Sequence, residues 1–338
     1  MFEACKQVES VSGITPATLD EATIYRTQPL ILKGLCDEWP IVHAGLSSDS
    51  AGAAYLRDNY SGEPVVGSLG QADTKGRVFY NSDMTGFNFT NSKVNLNLVL
   101  DQLLANSDSS DAPLMYMGST DARRFFPSLI QDNSLTIPQA NPIISVWLGN
   151  QSRIAAHYDF PVNLACNVVG KRRFTLFPPD QIKHLYPGPI EFAPGGQEIS
   201  MVDFAAPDLE KFPLFSKAIE SALVAELAPG DCLLIPSMWW HHVEALTPFN
   251  VLITHWWRDT PGYLGRPNNA LTAAILALRS LPKEQRAAWK EIFNYYIFDD
   301  QLASHDYIDD NALGILEEPL SEDMARRLRA DLLNKLKR

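Results

Sequence analysis

From Leu114 to Trp257 the chain is written as short β-forming runs separated by turn residues, and this pattern restricts the fold more than any other feature. The runs fall at 143–148, 163–169, 173–177, 222–227, 232–236, 239–246 and 251–257. Many short strands with Gly/Pro punctuation predict a sandwich or barrel. Pro229-Gly230-Asp231 reads as a turn feeding a buried strand at 232–236. Between 180 and 221 lies an insertion with Tyr186-Pro187-Gly188-Pro189 and Pro194-Gly195-Gly196, too long for a hairpin loop and placed to wall a substrate site. Residues 1–110 read as a mixed α/β region packing on this core, with an early strand at 29–34 followed by Trp39-Pro40. After Pro261 the pattern turns helical, at 269–280, 283–298 and 321–337 with Ser321 as N-cap. In the second of these, Trp289, Ile292, Phe293 and Tyr296 make one apolar stripe. The expected plan is therefore 1–110, a β core at 111–260 and a helical region at 261–338.

The formal charge of −12 opposes a general attraction to phosphate backbones, so nucleic acid is not the expected partner. Cys5, Cys36, Cys166 and Cys232 are far apart and form no C-x-x-C pair, which argues against a zinc knuckle, a dithiol centre or a secreted disulfide framework. A reducing cytoplasm is the expected compartment. Met1 to Ser10 lacks a basic segment followed by an apolar run, and no stretch of about 18 apolar residues occurs, so no export signal or membrane span is expected.

Two motifs carry candidate chemistry: His157-Tyr158-Asp159 and, further on, Trp239-Trp240-His241-His242. On a strand, residues i and i+2 project to the same face, so His157 and Asp159 can reach one ion while Tyr158 points away. Two imidazoles and one carboxylate hold an ion on one side only, and that donor set favours non-haem Fe(II) over a closed zinc site. Alternation sets Trp239, His241 and Val243 against Trp240, His242 and Glu244, so one of the two adjacent histidines faces inward. A lone H-x-D also occurs in proteins that bind no metal, and a small β barrel with a satisfied core histidine is the bland alternative.

An ordered set of further pieces resembles the cupin-like JmjC group of Fe(II)/2-oxoglutarate oxygenases, nearest in motif to its asparaginyl hydroxylases. The set comprises His157-Tyr158-Asp159, Asn163-Leu164, Gly170-Lys171-Arg172-Arg173-Phe174, Leu176-Phe177-Pro178-Pro179, Leu185-Tyr186-Pro187 and Val202-Asp203-Phe204. It continues through Pro207-Asp208, Phe212-Pro213, Pro229-Gly230-Asp231, Ile235-Pro236 and Trp239-Trp240-His241-His242. The resemblance covers about residues 110–260. It implies a mainly β fold with flanking helices, a double-stranded β-helix of jelly-roll type with the metal at its open end.

The resemblance also implies roles. His157, Asp159 and His241 become the iron ligands, with His242 the rival for the third place. Arg172 stands where related enzymes usually carry lysine and would hold the far carboxylate of 2-oxoglutarate, a task a guanidinium performs bidentately. Lys171 and Arg173 face elsewhere by alternation. Tyr116 matches a tyrosine that helps hold that carboxylate, and Asn163 an amide near the metal-bound end. Ile154 replaces a threonine, and His255 stands where relatives tend to have asparagine. His255 could sit behind the iron ligands, tune the cosubstrate pocket or be a buried histidine with a backbone partner.

The expected activity is hydroxylation of a C–H bond with Fe(II), 2-oxoglutarate and O2. A peptide or protein side chain is the leading substrate and a small molecule the next. A tRNA-modifying member of the group is a third possibility that the acidic balance weakens. The alternatives are a catalytically silent metal- or peptide-binding module, for which Ile154, Arg172 and His255 are the motive, and a cupin enzyme that needs no cosubstrate. In the resembling hydroxylases helices after the core pair two chains, which implies a homodimer here.

Overall fold

The computed structural model describes residues 2, 5–299 and 305–337. It divides after Arg258 into two units, Met1–Arg258 and Asp259–Arg338. Two sheets build the first. Eight strands of this unit form a jelly roll: Ile143–Gly149, Arg153–Tyr158, Val162–Val169, Arg172–Phe177, Leu223–Leu227, Cys232–Ile235, Trp240–Ala245 and Asn250–Trp257. Successive strands alternate between the nine-stranded and the six-stranded sheet, except for Arg172–Phe177 and Leu223–Leu227, which pair in the six-stranded sheet on either side of the insertion. The early region contributes strands to both sheets. Its strands Glu9–Ser12, Leu30–Lys33, Val65–Gly70 and Phe89–Val94 extend the nine-stranded sheet, and Lys6–Gln7 and Arg77–Val78 close the edges of the six-stranded one.

Three apolar layers follow from strand alternation. Between the sheets pack Ala165, Phe174, Leu176, Leu233, Val243 and Leu252. The opposite face of the nine-stranded sheet, with Leu164, Cys166, Cys232, Leu234, Val251 and Ile253, packs against helices Pro40–Ser47, Asp49–Asp58 and Leu96–Ala105. The outer face of the six-stranded sheet, with Tyr158, Phe177 and Trp240, is covered by Leu185, Val202, Phe204 and Phe215 from the insertion. Strands buried on both sides read as near-continuous apolar runs, which is why Val162–Val169 shows no polar/apolar alternation.

The second unit carries helices Pro267–Leu278, Lys283–Phe293 and Glu322–Leu336, and Ser321 caps the last by accepting the Met324 N–H at 3.3 Å. The helix expected over 283–298 changes at Asn294 into a wider π-type turn ending at Phe298. Among the described residues no helix is long and apolar enough to cross a membrane.

Gly170 sets the turn that delivers Arg172 to the inner face. Its φ is +77°, and a Cβ there would lie 2.3 Å from Thr247 Oγ1 and 2.5 Å from Asn250 Oδ1 and the Phe249 carbonyl oxygen. Gly170→Ala therefore combines a left-handed backbone with overpacking and should lower unfolding free energy by about 2–4 kcal/mol in urea titrations. An unchanged midpoint would contradict this account of the turn.

Candidate metal and cosubstrate site

The two histidines sit on neighbouring strands. His241 on Trp240–Ala245 is directly opposite His157 on Arg153–Tyr158, beside a register shift between His241 and Val243. The rings lie 4.4 Å apart between centroids. His157 is the penultimate residue of the strand Arg153–Tyr158. Asp159 follows just beyond its end, and Met238, held at φ +67°, fixes that end by donating its N–H to the Asp159 carbonyl at 2.9 Å. One ligating atom from each of His157, Asp159 and His241 lies within 4.8 Å of the others, and His241 Nε2 is 3.6 Å from Asp159 Oδ2.

Hydrogen bonds decide which atoms are free. His157 Nδ1 is 2.9 Å from the Ala155 carbonyl and His241 Nδ1 is 3.0 Å from the Trp239 carbonyl. A carbonyl only accepts, so both Nδ1 atoms carry protons and both Nε2 lone pairs remain available. Gln197 Nε2 donates to Asp159 Oδ1 at 2.7 Å, which leaves Oδ2 as the free carboxylate oxygen. Burial, reinforced by the His157 ring and opposed by Asp159, pulls His241 down to about 4, so its imidazole is neutral at physiological pH. A neutral imidazole is the form a metal binds.

His242 takes the other face. It stacks on Phe204 at 4.6 Å between centroids, and burial first, then the Arg153 charge, pulls it down to about 3. Its ring is outside the triad.

The triad opens into a cavity of about 490 Å³ between the sheets, and Tyr116, Asn163 and Arg172 line the same cavity. Arg172, 5% exposed, has an Nε with no hydrogen-bond partner, and among the described residues no carboxylate forms an ion pair with it. Its neighbour Arg173 turns outward, donating from Nη2 to Glu226 at 2.6 Å. Burial pulls Arg172 down to about 10, with Tyr116 opposing, and it stays cationic at neutral pH. Burial pushes the Tyr116 hydroxyl up despite that cation, so the phenol keeps its proton. Asn163 Oδ1 and Trp256 Nε1 are also buried, unpartnered and on the cavity wall. Leaving a buried polar atom unmatched costs about 1–3 kcal/mol, so three such atoms around one cavity mark a place for a polar ligand. An unpaired guanidinium deep in that cavity fits a carboxylate end, and the triad fits a divalent metal.

Two other sequence expectations resolve differently. Ile154 lines the cavity and offers it only hydrocarbon. His255 does not reach it: Thr254 and Trp256 line the cavity, while His255 between them points to the opposite face of the sheet. There its Nε2 accepts the Leu135 N–H at 3.1 Å and its ring lies 6.2 Å from that of Trp39. Its assignment among cosubstrate-binding residues is corrected to the third alternative, a buried histidine with a backbone partner.

Sequence reasoning missed Gln197 and Trp256. Gln197 comes from the insertion, whose Pro194 and Gly195 also line the cavity. Gln197→Ala should weaken Mn(II) or Fe(II) binding roughly 10- to 100-fold by calorimetric titration, the usual cost of losing a partner that orients a ligand. Unchanged affinity would remove Gln197 from the site.

A family model described as a cupin-like domain matches residues 16–263. HSPB1-associated protein 1 of Homo sapiens is 34% identical over 149 residues, 43% of this chain and 30% of that protein. Jumonji C domain-containing protein 5 of Drosophila melanogaster is 36% identical over 115 residues, 34% of this chain and 27% of that protein. The tRNA wybutosine-synthesizing protein 5 of Danio rerio is 32% identical over 155 residues, 42% of this chain and 41% of that protein. The chain thus spans less than half the length of each of these three relatives. With a jelly roll and an inward-facing His-Asp-His group at the positions those motifs predict, the chain belongs to the cupin-like domain family.

Proposed function

We propose that this protein is an Fe(II)- and 2-oxoglutarate-dependent oxygenase that hydroxylates a C–H bond. The observation that carries the reading is Arg172, a buried cation with no carboxylate partner among the described residues, lining the cavity that the His157, Asp159 and His241 side chains enter. His157 Nε2, Asp159 Oδ2 and His241 Nε2 would hold the iron on one side. Bound there, Fe(II) and 2-oxoglutarate supply the oxidising chemistry, in which the cosubstrate becomes succinate and carbon dioxide while dioxygen delivers one oxygen atom to the substrate.

The chain's own work is binding, orientation and exclusion of water. Arg172 and the protonated Tyr116 hydroxyl present donors to the far carboxylate, and Asn163 and Trp256 offer further polar atoms to what the cavity holds. Gln197 keeps Asp159 turned with one oxygen free. Phe174, Val243, Leu252 and Ile154 give the wall an apolar portion, which strengthens the polar contacts beside it. The substrate class this reading favours is a peptide side chain, followed by a small molecule. The acidic charge of −12 weighs against RNA. A silent binding module is the second reading, favoured by Ile154, which gives a cosubstrate nothing to hydrogen-bond.

Purified protein supplied with Fe(II), 2-oxoglutarate and oxygen should form succinate. Asp159→Ala should abolish that turnover, and Arg172→Ala should raise the KM for 2-oxoglutarate roughly tenfold to a hundredfold, the worth of a charge-assisted hydrogen bond. Full turnover in Asp159→Ala would refute the ligand assignment, and iron binding without any succinate would favour the silent module.

The proposal extends to quaternary structure. Trp289, Ile292, Tyr296 and Phe298 of the C-terminal unit are exposed, between 42% and 68%, and a homodimer formed through these helices would cover them. Light scattering should give twice the chain mass, with Trp289→Glu shifting it to the monomer. A monomeric wild type would end this part.

A further inference from the structure

Three cysteines that are 130 and 66 residues apart in the chain meet in the outer core of the nine-stranded sheet. Cys166 and Cys232 are cross-strand partners on Val162–Val169 and Cys232–Ile235, and Cys36 follows the neighbouring strand Leu30–Lys33, its N–H bonded to the Gly230 carbonyl. All three are 0% exposed. Their sulfurs lie within 4.8 Å of one another, Cys36 and Cys232 being 3.2 Å apart. None forms a disulfide. The cluster lies on the face of the sheet opposite the cavity described above.

His255 defines what the cluster can bind. Its Nε2 accepts the Leu135 N–H, so in the neutral ring the proton sits on Nδ1, and Nδ1 lies 3.9 Å from Cys166 Sγ. That proton points at sulfur, so the ring is a hydrogen-bond donor to a thiolate and not a fourth ligand. Among the described residues no other Cys, His, Asp or Glu joins the three sulfurs. Three sulfurs without a fourth donor, in an apolar surround, suit a soft ion that accepts three-coordination; tetrahedral zinc would be left one ligand short. We propose that Cys36, Cys166 and Cys232 form a buried, three-sulfur site for copper(I), with His255 as the hydrogen-bond donor that positions Cys166.

Metal coordination takes cysteine sulfur as thiolate, so thiol protons leave to solvent as the ion enters. No electron is transferred: the ion enters as Cu(I) and leaves as Cu(I). The site is independent of the oxygenase reading, since it uses none of the residues of the cavity triad.

The test uses the full chain carrying Asp159→Ala, which disables the triad, produced in cells supplied with copper and purified without oxygen against a chromophoric copper(I) chelator. The expected result is one copper per chain, an ultraviolet sulfur-to-copper absorption, and an X-ray absorption spectrum with three sulfur neighbours. Cys166→Ala in the same background should lose the metal while keeping a cooperative thermal transition. If that variant does not fold, the X-ray absorption of the folded parent decides. Copper-free folded protein, nitrogen or oxygen neighbours in place of sulfur, preferential uptake of zinc, or a Cys36–Cys232 disulfide in place of bound metal would each overturn the proposal.

Discussion

A strand has two faces, and the whole arrangement rests on how this jelly roll uses them. On Asn250–Trp257, Thr254 and Trp256 face the cavity while Ile253 and His255 face the helices. On Trp240–Ala245, His241 and Val243 look inward while Trp240 and His242 look toward the insertion. A slip of one residue in either strand would carry the ligating histidine out of the cavity and replace it with a residue suited to another layer. Because both faces of the central strands are packed, such a slip costs core burial as well as the site, and the register is correspondingly well specified.

Within that frame the site is made of atoms left free on purpose by their neighbours. Backbone carbonyls of Ala155 and Trp239 occupy the outer nitrogens of two imidazoles, and Gln197 occupies one oxygen of Asp159. What remains is one donor atom per residue, all within 4.8 Å. Arg172, Asn163 and Trp256 supply the complementary feature, buried polar atoms with no partner among the described residues. Stability alone would match or remove such atoms. Their retention around one cavity, from both sheets, is the structural argument for a ligand with a charged end.

Much of this was legible in the chain because it is local. Strand periodicity places seven of the eight jelly-roll strands to within a residue and passes over Arg153–Tyr158, while H-x-D spacing puts His157 and Asp159 on one side without any knowledge of the fold. Alternation reduced His241 and His242 to a choice that only an inward reference could settle. Contacts between distant segments were not legible. Gln197 lies in an insertion without periodic pattern, and nothing in its neighbourhood points to Asp159 some 38 residues earlier. His255 is counted with the cosubstrate residues only because relatives tend to carry asparagine there, and alternation along the strand turns it to the other face. The early strands Val65–Gly70, with two glycines, and Phe89–Val94, with four polar residues, alternate weakly, so their place in the nine-stranded sheet depends on partners and not on their own composition. The cysteines likewise gave no spacing signal, since sheet pairing and not chain proximity brings them together.

Anaerobic addition of Fe(II) and then 2-oxoglutarate, followed by visible absorption, tests the central claim most directly, because it needs no knowledge of the substrate. If the triad holds iron and the cavity holds the keto acid upon it, a visible charge-transfer band appears with the cosubstrate and is lost in Asp159→Ala. Iron bound by the protein with no band on adding 2-oxoglutarate would contradict the account.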